Sequence, residues 1–194
     1  MKPYALACVA LCAITAPVAA QQVNPLESEA LMKKGINEVG TAYTFYGSGF
    51  TQKAMKEPAV PGGRFIRVDV GNKGANPWDV GAQYAIDKPI KAGDVVFFAV
   101  FLRAPNLKDG ETARVPGTGV GQAAAPYAPI ATTEAHVSNQ WNVYYASTKA
   151  SRAWGKGEAR ASLHLAADKQ VLDLGPLIVL DLGPDYDMTT LPSN

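Results

Sequence analysis

Arg64-Phe65-Ile66-Arg67-Val68-Asp69-Val70, the linker Gly71-Asn72-Lys73-Gly74-Ala75-Asn76-Pro77, and then Trp78-Asp79-Val80-Gly81-Ala82-Gln83-Tyr84-Ala85-Ile86 are the residues on which the fold turns. Two alternating runs rich in β-branched and aromatic side chains flank a segment of glycine, asparagine and proline, which is the composition of strand, turn and strand. The pattern recurs in both directions. Residues 41–46 favour a strand before Gly47-Ser48-Gly49, and further strands are predicted over 95–104, 140–146, 158–166 and 170–182, with turn chemistry between them. Many short strands with almost no helix predict an all-β fold, a β-sandwich jelly roll, rather than βαβ units. One short N-terminal helix is expected, started by Asn24-Pro25 and stopped by Gly35. Residues 105–134, rich in Gly, Pro, Ala and Thr, read as a long loop with at most a weak strand. The sequence Val171-Leu172-Asp173-Leu174-Gly175-Pro176 returns as Val179-Leu180-Asp181-Leu182-Gly183-Pro184, and two copies read as strand punctuation rather than a repeat architecture.

The start of the chain has a different character. Lys2, an apolar run from Ala5 to Ala16 and the small residues Val18-Ala19-Ala20 form the pattern of a cleavable secretory leader over residues 1–20. The run falls short of the ~20 apolar residues that span a bilayer, so a membrane-spanning helix is not expected. A periplasmic or secreted location follows. The predicted organisation is a signal peptide over 1–20, a helical lead-in over 21–38, one β-sandwich domain over 39–187 and a tail over 188–194. Both cysteines, Cys8 and Cys12, lie in the leader, so no disulfide staples the remainder. The whole chain carries a formal charge of +1, and loss of Lys2 with the leader makes the remainder formally neutral. Nucleic acid and anionic membrane surfaces, which call for a basic excess, are not expected partners.

Successive strand side chains point to opposite faces, so the strands can be sorted by face. Trp78, Val80, Ala82, Tyr84 and Ile86 share an inward face, opposite Asp79, Gly81 and Gln83. Phe98, Val100, Leu102 and Ala104 point inward, opposite Phe97, Ala99, Phe101 and Arg103. Ala161, Leu163 and Leu165 point inward, opposite the polar stripe Glu158, Arg160, Ser162 and His164. If these strands are neighbours in one sheet, Gln83, Phe101, Arg103, Arg160, Ser162 and His164 line one surface with Asn142 or Tyr144. Amide, imidazole and guanidinium groups bond hydroxyls, and an aromatic face packs on the C–H side of a pyranose, so such a mixture suits sugar recognition. An ordinary solvated sheet face is the alternative. Trp78 and Trp141 open alternating strands on the side read as core, whereas Trp154, beside Gly155-Lys156-Gly157, suits stacking or loop anchoring equally.

Other chemistries leave little trace. Gly117-Thr118-Gly119-Val120-Gly121 lacks the flanking strand and helix of a phosphate-binding loop, and no serine is pinned near either histidine. His136 and His164 have no zinc-site spacing, so no cofactor is expected. Asp181, Asp185 and Asp187 offer oxygen ligands for a structural calcium, without the order of an EF-hand.

The stretch 63–104, with Arg64-Phe65-Ile66-Arg67-Val68-Asp69-Val70, Asn76-Pro77-Trp78-Asp79-Val80 and Ile90-Lys91-Ala92-Gly93-Asp94, resembles family 4/9-type carbohydrate-binding modules. The resemblance continues in Trp141-Asn142-Val143-Tyr144-Tyr145 and from Leu163-His164-Leu165 into Gln170 to Leu177, about two thirds of the exported chain in order. It implies a galactose-binding-like jelly roll that binds a polysaccharide or oligosaccharide without chemistry of its own. The family's polar strand positions fall on Asp79, Gln83, Arg103 and His164, and Phe101 stands where such modules often place a tryptophan. Together with alternation, this gives a predicted ligand-binding set of Asp79, Gln83, Phe101, Arg103, Tyr144, Trp154, Arg160 and His164. The alternative function is a protein–protein interaction or assembly component of the envelope using the same jelly roll.

Overall fold

The computed structural model describes residues 25–194; the predicted leader over 1–20 and the first residues of the lead-in lie outside that range. Ten strands follow in chain order: β1 (Thr44–Gly47), β2 (Phe50–Lys56), β3 (Arg64–Val70), β4 (Val80–Ala85), β5 (Val95–Arg103), β6 (Ala113–Gln122), β7 (Pro129–Val137), β8 (Asn142–Lys149), β9 (Ala159–His164) and β10 (Gln170–Asp181). They form two antiparallel five-stranded sheets, ordered β1-β4-β9-β6-β7 and β2-β3-β10-β5-β8. The sheets pack face to face as a sandwich, which agrees with the all-β jelly-roll prediction. The only α-helix among the described residues is α1 (Glu29–Met32), and its N-cap is Ser28 rather than Asn24. No helix among these residues is long and apolar enough to cross a membrane.

The core forms where alternation places it. Val80, Ala82 and Tyr84 of the first sheet meet Phe98, Val100 and Leu102 of the second, with Ala161, Leu163, Leu172 and Leu174 filling the same cluster. A second, smaller cluster lies outside the second sheet, where Phe97, Ala99, Ile178 and Leu180 are covered by Leu31 and Met32 of α1 and by Met188 and Leu191 near the C-terminus. The chain's own ends therefore bury the outward-facing Phe97. Such cover lets β5 be apolar on both faces.

Three features depart from the sequence reading. Residues 105–134 are not a long loop: they hold β6 and most of β7, an antiparallel pair. Their alanines and glycines hide the period-two signal, and a bulge between Val115 and Thr118 interrupts it further. The Val-Leu-Asp-Leu-Gly-Pro echo lies largely within one strand, β10, whose register against β5 slips between Leu174 and Leu177 at the Gly175-Pro176 step. Finally, Trp78 does not begin β4. Asn76 and Asp79 cap a single 3-10 turn, Pro77–Asp79, with Pro77 at its first position. That turn breaks the alternation that assigned Trp78 to the core.

Candidate functional site

The outer face of the first sheet carries a groove of about 760 Å³. Its floor follows from strand register. Tyr46, Gly81 and His164 are successive partners on β1, β4 and β9. Beside them, Thr44, Gln83, Ser162, Gly119 and Thr132 run across all five strands, and Ala85, Arg160, Gly121 and Pro129 form a third row. At about 4.8 Å per strand, the middle row extends about 19 Å across the sheet and presents hydroxyl and amide groups along it.

Glycine shapes this floor at two points. A Cβ on Gly81 would overlap the Tyr46 ring, so the phenol lies flat across β4. Gly117, at φ +63 in the β6 bulge, similarly admits the His164 ring, and Thr118 secures the bulge by donating from Oγ1 to the Val115 carbonyl at 2.7 Å. The left-handed backbone at Gly117 is one that other residues enter at a cost.

The walls are aromatic. Trp78 is 54% exposed and Tyr127 61% exposed, and both line the groove. The turn carrying Trp78 is tied to the end of β9, since Ala166 N–H donates to the Pro77 carbonyl at 2.9 Å and Leu165 N–H to the Val80 carbonyl at 2.8 Å. The indole then meets the His164 ring edge-on, with centroids 6.1 Å apart. Tyr127 sits between β6 and β7 in a left-handed backbone conformation, φ 57, with its N–H bonded to the Ala124 carbonyl at 2.9 Å. Its ring lies 5.4 Å from the Arg160 guanidinium carbon. Burial, and secondarily the Arg160 charge, lower the His164 pKa below its ordinary value. The imidazole is therefore neutral at pH 7, with one nitrogen to donate and one to accept. Burial raises the Tyr46 hydroxyl pKa, offset in part by Arg160 and by a hydrogen bond with Gln83.

Of the predicted ligand-binding residues, Gln83, Arg160 and His164 come together on this face, joined by Ser162. Asp79 is not among the residues lining the groove; its carboxylate accepts from Asn76 N–H at 2.9 Å and fixes the turn that holds Trp78. Phe101 and Arg103 lie on β5 in the other sheet, so the shared surface expected of them does not form. Arg103 instead joins Arg67 in binding the fully buried Asp173: Arg67 donates at 2.7 and 2.9 Å and Arg103 at 3.0 and 2.8 Å. Phe65 and Trp141 stack against these guanidinium groups, so Trp141 packs outside the second sheet rather than in the core. Tyr144 is buried, its hydroxyl donating to the His136 carbonyl at 3.0 Å and accepting from Ser138 N–H at 3.3 Å. Trp154 is also buried and exchanges backbone hydrogen bonds with Ile90 at 2.8 and 2.9 Å, an anchoring role.

Among the described residues no group of three or more His, Cys, Asp or Glu side chains is arranged to hold a metal ion. Asp187 instead caps a 3-10 turn through Thr189, and Asp181 accepts from Gly183 N–H at 3.0 Å. Sequence reasoning missed Tyr46, Tyr127 and Thr132, and it assigned Trp78 to the core. Tyr46 carried a usable signal, since it occupies the same face as Thr44 in a strand-like run.

No protein-family model and no curated protein sequence matches the chain. Solved structures do match in fold. A carbohydrate-binding module, CBM4, superposes with TM-score 0.56 at 9% identity, covering 78% of this chain and 99% of its own. The second N-terminal cellulose-binding domain of Cellulomonas fimi β-1,4-glucanase C gives TM-score 0.53 at 16% identity, with 76% and 94% covered. The arabinose-bound α-L-arabinofuranosidase MgGH51 gives 0.53 at 11% identity, covering 80% of this chain, which spans only 26% of that larger protein. The chain thus has the β-sandwich jelly-roll fold found in carbohydrate-binding modules, as the resemblance of its strand sequences implies.

Proposed function

We propose that this is an exported, noncatalytic carbohydrate-binding protein that takes a polysaccharide or oligosaccharide along the outer face of the β1-β4-β9-β6-β7 sheet. One observation carries the reading: of the three exposed large hydrophobic residues among those described, Val39, Trp78 and Tyr127, two stand on the walls of the same polar-floored groove. An exposed indole and phenol flanking a row of hydroxyl and amide groups match the two faces of a sugar, C–H surface and hydroxyl rim. The groove's walls are held by hydrogen bonds, which limits the ordering cost of binding. The carbohydrate-binding modules and cellulose-binding domain with this fold support the reading, as does the leader-like residues 1–20.

The test is affinity electrophoresis of the chain lacking residues 1–20 against soluble plant, algal and bacterial polysaccharides, with Trp78→Ala and Tyr127→Ala alongside. Retention by at least one polysaccharide, lost in both variants while their circular dichroism is unchanged, is expected. No retention by any polysaccharide would overturn it, and co-purification with a stoichiometric protein partner would then favour an envelope assembly role. Appearance of the protein outside the cytoplasm, with an N-terminus at Gln21, is the matching check on export.

A further inference from the structure

Accepting the groove as a glycan site, we propose that it selects anionic glycans, with Arg160 binding a carboxylate or sulfate carried on the sugar. The chemistry of the lining points this way. Among the described residues no Asp or Glu lines the groove, and its one permanent charge is Arg160. Sites for neutral polyols gain from ionised acceptors for hydroxyl protons, and this groove offers none.

Of the three partly buried arginines among the described residues, Arg67, Arg103 and Arg160, only Arg160 lacks a carboxylate partner, whereas Arg64 and Arg152, which also form no salt bridge, are exposed. Arg67 and Arg103 share Asp173, and Arg114 pairs with Glu134 through two hydrogen bonds of 2.9 and 3.0 Å. Arg160 forms no salt bridge among the described residues, although it is partly buried. Tyr127 supports it from one side, and its register partners, Ala85 on β4 and Gly121 on β6, have little or no side chain. Space is therefore left beside the guanidinium, where its planar fork can meet two oxygens of an oxyanion.

The adjoining hollow shares Gln83 and Arg160 with the groove and adds Lys156, with Asp87 the only carboxylate there. On an exported chain that is formally neutral, Arg160 and Lys156 against the single carboxylate of Asp87 leave a local excess of positive charge where the groove and the hollow meet. Carboxylate and sulfate share the chemistry that such a place recognises.

The experiment measures binding at ionic strength of about 0.15 M, where the field of distant charges is screened within about 8 Å. Wild type, Arg160→Gln and Arg160→Lys are titrated with polygalacturonate, alginate and glucuronate-bearing xylan, each beside its methyl-esterified or carboxyl-reduced form, and with dextran sulfate beside dextran. At least tenfold tighter binding of one or more anionic polymers than of the neutral counterpart is expected, with the excess abolished in Arg160→Gln and only partly kept in Arg160→Lys. The carboxylate and sulfate arms identify which anion is read. Neutral polymers bound as tightly as anionic ones, or an anion preference that survives Arg160→Gln, would overturn the inference. Neutral binding that still depends on Trp78 would do so while leaving glycan recognition standing; no binding to any polymer would remove both.

Discussion

The backbone of Gly117 lies so close to the ring of His164 that a Cβ at position 117 would overlap the imidazole. Gly117→Ala therefore meets two obstacles: a left-handed backbone at φ +63 and a side chain with no room. The first costs about 1–2 kcal/mol, and displacement of His164 adds to it. Chemical denaturation should show a loss of about 2–3 kcal/mol, part of it recovered in the Gly117→Ala/His164→Ala double variant because the overlap is then gone. Purely additive losses would mean that the two residues are not coupled.

Trp78 and Trp154 should separate binding from stability. Trp78 is 54% exposed on the groove wall, whereas Trp154 is 5% exposed and bonded to Ile90 at the sandwich margin. Trp78→Ala should change stability by no more than about 0.5–1 kcal/mol. It should weaken glycan binding about tenfold or more, as truncation of an aromatic anchor does. Trp154→Ala should cost about 3–5 kcal/mol of stability. Thermal melts and affinity gels on the two variants check both halves, and the reverse pattern would count against the groove.

The two tryptophans also show where sequence reasoning stops. Alternation assigned Val80, Ala82, Tyr84, Ala161 and Leu163 to the core because β4 and β9 are regular strands, and so it grouped Gln83, Arg160, Ser162 and His164 correctly. It cannot carry through the capped turn at Asn76-Pro77, where Trp78 leaves the strand path. Nor does a period of two say which sheet a strand joins. Phe101 and Arg103 obey the same alternation as Gln83, yet β5 hydrogen-bonds to β10 and β8. β6 and β7 escaped because inward alanines and the Gly117 bulge give no hydrophobic contrast, and Tyr127 is visible only once those strands are paired.

Asp173 is fully buried between Arg67 and Arg103, and it is the structural centre of the outer face of the second sheet. Asp173→Ala leaves two guanidinium groups without their shared carboxylate in a partly desolvated setting. A loss of about 3–5 kcal/mol is expected, since removing one partner of a buried pair strands the other. Arg103→Ala should destabilise as well, though less, since Arg67 still pairs with Asp173; the loss comes from the two hydrogen bonds that Arg103 donates and from its packing on Trp141. In both variants any folded fraction should keep the wild-type dissociation constant for glycan. A selective loss of affinity in stable Arg103→Ala protein would return that residue to the binding site.

His164 makes stability depend on pH in a direction set by the cause of its shift. Burial first, then the nearby Arg160 charge, hold its pKa in the folded chain below the ordinary value of about 6.5. Between those two values the unfolded chain binds more protons than the folded one, so stability rises with pH there and levels off above about 6.5. Acidification through that window should therefore destabilise the wild type, and His164→Gln should reduce the dependence. Asp181, raised by its own burial, titrates in both proteins and cancels in the difference. Arg160→Gln removes the secondary cause and should move the His164 pKa upward, while burial still keeps it below the ordinary value. Imidazole proton shifts followed by NMR, with denaturant midpoints from pH 5 to 7.5, test both statements. A His164 pKa above 6.5 in the folded wild type would mean that the ring is neither desolvated by the groove floor nor under the influence of Arg160.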